Sequence, residues 1–171
     1  MGIKKRKDFI NVQKFKENFN SVEQISIDDT DKKILNELLN DSRLSYRQIA
    51  KKLSISTGTV LNRIEQLRKK NIIKYYSAIL DHEKLGYDLS AIIGLRVSKG
   101  KLIEVEKIIS KHPNVCGVYD ITGDTDVFII AKFKNKNQLN SFVKKLLNIE
   151  YVERTNTHLV LNTMKEDFRL I

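Results

Sequence analysis

Apolar residues recur along this chain in two rhythms, one helical and one alternating, and the change between them predicts where the molecule divides. Ile34, Leu35, Leu38 and Leu39 form an i, i+1, i+4, i+5 stripe, which predicts a first helix ending near Leu39 or Asn40. The acidic run Asp28, Asp29, Asp31 suits its start, since carboxylates accept from free N–H groups and offset the positive end of the helix dipole. Ser45 with Gln48 three residues later makes a capping box, and Ile49, Ala50 and Leu53 then give a short second helix one apolar side. After a break at Ser54-Ile55, Ser56 is a suitable N-cap, and Val60, Ile64 and Leu67 mark a third helix running to about Lys70. Residues 27–71 therefore read as a helix-turn-helix.

The second rhythm starts with β-prone Ile72, Ile73, Tyr75, Tyr76 and Ile79, read as a connecting strand within a β hinge over 72–87. Leu89, Ala91, Ile93, Leu95 and Val97 alternate strictly, which places five apolar side chains on one side of a strand. Leu102, Val105, Ile108 and Ile109 return to helical spacing before Pro113. Val115 to Thr122 and Val127 to Phe133 form a hairpin around Gly123-Asp124-Thr125-Asp126. Leu139, Phe142, Val143, Leu146 and Leu147 give another helix, and Val152 to Asn162 a last strand. The order β-α-β-β-α-β over 88–171 is the ferredoxin-like split unit, so the chain is predicted to be α+β. Its helices cover one sheet face only. Cys116 and Val118, read as pointing opposite to Val115 and Tyr119, together with Phe128 and Ile130, leave the other face apolar and predict sheet-to-sheet dimerisation.

Residues 1–26 form a basic extension in which Phe9, Val12, Phe15 and Phe19 take helical spacing. Two readings stay open for it: an arm that touches phosphate, or a terminal segment that frays or packs on another subunit.

Charge changes the picture of the N-terminal part. The net charge is +10, from 31 Lys and Arg against 21 Asp and Glu. Residues 26–75 hold 11 basic and 6 acidic side chains, and 76–171 hold 14 and 12, so the excess gathers in the first 75 residues and points to an anionic polymer or surface as partner. The second member of a helix-turn-helix lies in the major groove. Here it carries Thr57, Thr59, Asn62, Arg63 and Gln66. Asn and Gln pair bidentately with adenine and Arg with guanine, while Thr can touch the thymine methyl. Ser56, which caps this helix, is also a candidate DNA contact, and Arg43, Arg47, Lys51, Lys52, Arg68 and Lys69 flank it as candidate phosphate contacts. The expected partner is double-stranded DNA.

The sequence resembles the Lrp/AsnC, or feast/famine, family of bacterial and archaeal transcription regulators. The resemblance rests on Ile27-Asp28-Asp29-Thr30-Asp31 with Ile34-Leu35, Asp41-Ser42-Arg43-Leu44-Ser45, Ile49-Ala50, Ser56 with Val60 and Arg63-Ile64, and Asn71-Ile72-Ile73. It continues through Leu85-Gly86, Pro113-Asn114-Val115, Gly123-Asp124 with Asp126, and Glu153-Arg154-Thr155 with Thr157. It implies a winged helix-turn-helix joined to a sensing domain that pairs into dimers and assembles them into octamers or other species, acting on the transcription machinery. It also implies an amino-acid effector near Gly123, Asp124, Thr125 and Asp126: turn N–H groups for the carboxylate, Asp124 or Asp126 for the ammonium, and hydroxyls from Thr155 and Thr157. Thr125 stands where many relatives carry an aromatic residue, and Ser54 where glycine is common.

An enzyme on the same scaffold, like the siroheme decarboxylases, is the alternative. His82, His112 and His158 are far apart in sequence, and there is no glycine-rich phosphate loop, paired metal-ligand spacing or activated nucleophile. No catalytic residue, cofactor or metal is expected. A single Cys116, no uncharged run near ~20 residues and no signal-peptide pattern predict a cytoplasmic protein without a membrane partner.

Overall fold

Side-chain caps decide where the N-terminal helices begin. The computed structural model describes residues 26–98 and 100–171, which divide into two units, one ending at residue 78 and joined by 169–171, the other spanning 79–168. The apolar stripe expected from Phe9 to Phe19 lies outside the described residues. Helix α1 spans Asp29–Asn40, with Asp28 as N-cap: the Asp31 amide donates to Asp28 Oδ1 at 2.8 Å, and the Asp28 amide to Asp31 Oδ2 at 3.2 Å. Helix α2, Tyr46–Leu53, has the reciprocal box between Ser45 and Gln48. Helix α3, Thr57–Lys69, begins at Ser56, whose Oγ accepts from the Thr59 amide at 3.0 Å.

The turn between α2 and α3 needs a left-handed residue. Ser54 supplies it with φ 55 and ψ 41, and its amide donates to the Ala50 carbonyl. Ile34, Leu38, Ile49, Ala50, Val60 and Ile64 form the buried core of the bundle, with Ile55 and Ile73 packed against it. Asn71, also left-handed with φ 56, turns the chain so that the Ile72 and Ile73 amides both donate to the Leu67 carbonyl.

The connecting strand expected from Ile72 to Ile79 does not form. β-branched and aromatic residues favour a pleated, half-buried surface, but Lys74 to Leu80 finds no ladder partner among the described residues.

The second unit is a four-stranded antiparallel sheet in the order β2-β3-β1-β4, with β1 at Leu89–Val97, β2 at Val115–Asp120, β3 at Val127–Phe133 and β4 at Val152–Leu159. Helices α4, Leu102–Ile109, and α5, Lys136–Leu147, cover one face. Ala91, Ile93 and Leu95 of β1 and Val127, Ile129, Ala131 and Phe133 of β3 meet Val105, Ile109, Leu139, Phe142 and Leu146 in one core. This is the ferredoxin-like arrangement.

A bulge in β2 overturns part of the reading of the open face. Val115 pairs with Ala131, but Gly117 pairs with Ile130, so Cys116 is the extra, unpaired residue. Alternation therefore reverses after it. Val118 pairs with Ile129 and packs on the helix-covered core, contrary to the expectation that it points outward; Tyr119, expected to point inward, pairs with Phe128 on the open side. Its ring lies over Gly117, where a Cβ would stand 2.7 Å from Tyr119 Cε2. The open face thus carries Ile92, Phe128, Ile130 and Tyr119.

Candidate nucleic-acid interface and ligand cavity

Helix α3 turns its apolar residues inward and its polar ones outward. With 3.6 residues per turn, buried Val60, Ile64 and Leu67 share one side. That geometry leaves Gly58, Asn62, Glu65, Gln66 and Lys69 on the opposite side, all exposed. Thr57 opens the helix and is also exposed. Thr59 is half-buried, with its Oγ1 2.9 Å from Ser56 Oγ, so both hydroxyls are engaged in the cap.

Arg63 is placed differently from expectation. It lies next to the core side of α3, and its Nη1 donates to Asp28 Oδ2 and, at 3.2 Å, to Asp31 Oδ1. Asp31 is 8% exposed, the single charged residue buried among those described. A guanidinium shared by two carboxylates at the start of α1 ties the two helices together in this chain. The pairing pushes the Arg63 guanidinium further up from its ordinary value, first through Asp28 and then Asp31. The Asp31 amide, followed by Arg63, holds the Asp28 carboxyl below the usual carboxylate range.

Among the flanking cations, Arg47 is exposed in the first turn of α2 and Lys69 in the last turn of α3. Arg43 is also exposed, but its Nε donates to Asp41 Oδ1 at 3.0 Å and its Nη2 to Oδ2 at 3.3 Å. Lys52 bridges to Glu37 at 2.5 Å, joining α2 to α1. Sequence reasoning passed over Gly58, Leu61 and Glu65. Leu61 is the exception among the apolar residues of α3, at 37% exposed; its place outside the Val60, Ile64 and Leu67 stripe was the available signal.

The second unit holds a solvent-open cavity of about 630 Å³. Its lining is Gly94, Leu95, Arg96, Asp124, Thr125, Glu153, Arg154 and Asn156. Gly94 keeps the floor low: a Cβ there would meet Thr125 Cγ2 at 3.0 Å and Phe128 Cε1 at 3.2 Å. Arg96 donates to the Asp124 carbonyl and stands 3.9 Å from Asp126 Oδ2, which holds the loop against β1. Asp126 itself is occupied, its Oδ2 accepting from the Val97 amide at 2.8 Å and its own amide donating to the Leu95 carbonyl at 2.9 Å. Gly123, with φ 118, shapes the turn and does not line the cavity.

Thr155 and Thr157 are also placed away from it. They pair with Leu95 and Ile93, whose side chains face the helices, while Arg154 and Asn156 pair with Arg96 and Gly94 on the open side. The strand's alternation had offered both choices, and the pairing register selects the second. Of the expected ligand residues, the structure brings Asp124 and Thr125 to the cavity and adds Arg96, Glu153, Arg154 and Asn156.

The histidines do not assemble. His112 packs on Phe142 at 4.6 Å between ring centroids, His82 is edge-on to Tyr87, and His158 pairs with Ile92 on β1. Burial, with Lys145 nearby, keeps the His112 imidazole below its ordinary value. Among the described residues no three His, Cys, Asp or Glu side chains gather as metal ligands, and no helix is long and apolar enough to cross a membrane.

Comparison with known proteins matches both units. Residues 27–74 match the winged helix-turn-helix DNA-binding domain and residues 90–170 the Lrp/AsnC ligand binding domain. An uncharacterized HTH-type transcriptional regulator of Pyrococcus furiosus is 49% identical over 146 residues, which is 85% of this chain and 99% of the relative. HTH-type transcriptional regulator FL11 of Pyrococcus horikoshii is 38% identical over 86% of this chain and 97% of its own length. Among solved structures, a transcriptional regulator from Neisseria meningitidis in complex with L-Met superposes with a TM-score of 0.78 at 30% identity, covering 85% of this chain and 97% of that one. B. subtilis LrpC gives 0.75 at 28% identity, over 84% and 100%.

Proposed function

Because this chain belongs to the Lrp/AsnC family of DNA-binding transcriptional regulators, we propose that the outer side of α3 reads base edges in the major groove through Asn62 and Gln66. Arg47, Arg43 and Lys69 then contact phosphates on either side. One observation carries this reading: the side of α3 opposite the core is polar and exposed, while Arg63 is tied inward to Asp28 and Asp31. Phosphate contacts orient the protein and base contacts select the sequence.

The regulator responds to a small ligand, and the cavity beside Asp124 is our proposed place for it. Arg154 and Arg96 offer cations to a carboxylate, and Asp124 an anion to an ammonium, so the lining suits a free amino acid. The L-Met bound by the Neisseria relative is of that class. The open sheet face, with Ile92, Phe128, Ile130 and Tyr119, is our proposed homodimer surface, because an apolar sheet face left uncovered favours a second copy. Dimers place two α3 helices on neighbouring half-sites, assemble further into larger species, and act on the transcription machinery. We assign no catalytic step: the three histidines stand apart, two against aromatic rings and His158 exposed on β4.

The test is selection of bound genomic fragments against random duplex, repeated with each common amino acid. A preferred fragment, with affinity altered by one or a few amino acids and by Arg154→Ala, supports the reading. Neutralising about six phosphates per dimer gives a slope of log affinity against log salt of about −5. Equal binding of all fragments would overturn it.

A further inference from the structure

Among the described residues, nothing packed around Gly58 requires it to be glycine. It occupies the second position of α3, its φ is not in the left-handed region, and a Cβ built on it would meet only Ser56 Oγ at an ordinary 3.8 Å. Glycine is among the poorest helix formers, since it has the most backbone freedom to lose and no side chain to pack. A small side chain would fit this site without strain. Gly94 makes the contrast, because there the protein itself fills the space a Cβ would take.

The position of Gly58 is also particular. It is exposed, it lies on the side of α3 opposite Val60, Ile64 and Leu67, and Asn62 follows it one turn later on the same line. Leu61, three residues on, is the exposed apolar side chain of this helix. A bare backbone is what a helix presents where a partner must come nearer than a methyl group allows.

We propose that Gly58 is the point of closest approach between α3 and DNA, where the helix backbone lies against the groove and sets the depth at which Asn62 and Gln66 reach the bases. This rests on the DNA-reading face proposed above and adds to it a residue that acts through shape alone. An added methyl lifts the start of α3 off the groove and lengthens the downstream contacts, leaving distant phosphate contacts in place. The loss should therefore be concentrated in specific binding.

The experiment compares the full-length protein with Gly58→Ala and Gly58→Val. It uses the genomic fragment that wild type retains most strongly and a random-sequence duplex of equal length, with melting followed in parallel. Gly58→Ala should melt at or up to about 2 °C above wild type, yet bind the selected fragment about tenfold more weakly, with Gly58→Val weaker still and binding to random duplex nearly unchanged. Wild-type affinity in Gly58→Ala would overturn the proposal, and so would a lowered melting temperature accompanying the lost affinity, since glycine would then serve the fold. A wild type with no fragment preference would sink the DNA-reading face itself, a result distinct from either.

Discussion

Arg63 Nη1 lies 3.2 Å from Asp31 Oδ1, and through this contact and its bond to Asp28 it fastens α3 to the first turn of α1. Asp28 and Asp31 already cap each other's amides. The start of α1, its cap and the second helix of the DNA-binding pair are therefore one electrostatic unit.

Replacing Arg63 by Met leaves the two carboxylates facing each other without a cation. We expect a lower melting temperature for Arg63→Met and weaker binding to all duplexes in proportion to the folded fraction, with unchanged base preference. Melting and a base-resolved footprint measured together check this. Relaxed preference at one base pair with no loss of stability would place Arg63 among the base readers instead.

The same unit gives a pH dependence. The Asp28 carboxyl is held below its unfolded value, so its ionised form contributes stability that is present above about pH 4 and lost as pH falls through the lower folded value. Asp28→Asn retains a capping side chain but not the charge. Wild type should lose stability more steeply than Asp28→Asn on acidification below about pH 4. Parallel denaturation curves across that range would contradict the assignment.

The bulge at Cys116 separates two variants, one double and one single, that simple alternation treats alike. Phe128→Asp with Ile130→Asp places charge on the open sheet face and should yield folded monomers by sedimentation with a retained circular dichroism spectrum. Val118→Asp places a carboxylate against the helix-covered core and should cost about 2 kcal/mol or more of stability. A stable Val118→Asp monomer would indicate that Val118 belongs to the dimer surface.

Whatever rests on neighbours in sequence was legible before the structure. Asp28, Ser45 and Ser56 announce their helices because a cap involves only the next three residues, and the alternation of Leu89 to Val97 names its own buried side. Three features depend on partners far along the chain, and each escaped. Arg63 looked outward because nothing local reveals a pair with residues 32 and 35 positions earlier. Val118 looked outward because a single unpaired Cys116 reverses β2. Thr155 and Thr157 looked like ligand residues because their side of β4 is decided by pairing with Leu95 and Ile93. The β-prone run after Asn71 escaped for another reason: it carries a preference that no strand among the described residues satisfies.

The central claim is that the outer side of α3 reads bases, and base-by-base interference footprinting on the selected fragment addresses it most directly. Wild type, Asn62→Ala and Gln66→Ala should share one phosphate pattern. Each variant should lose sensitivity at its own adenine position in each half-site, with discrimination there falling by about 1–3 kcal/mol. Identical base patterns in all three proteins would contradict the claim.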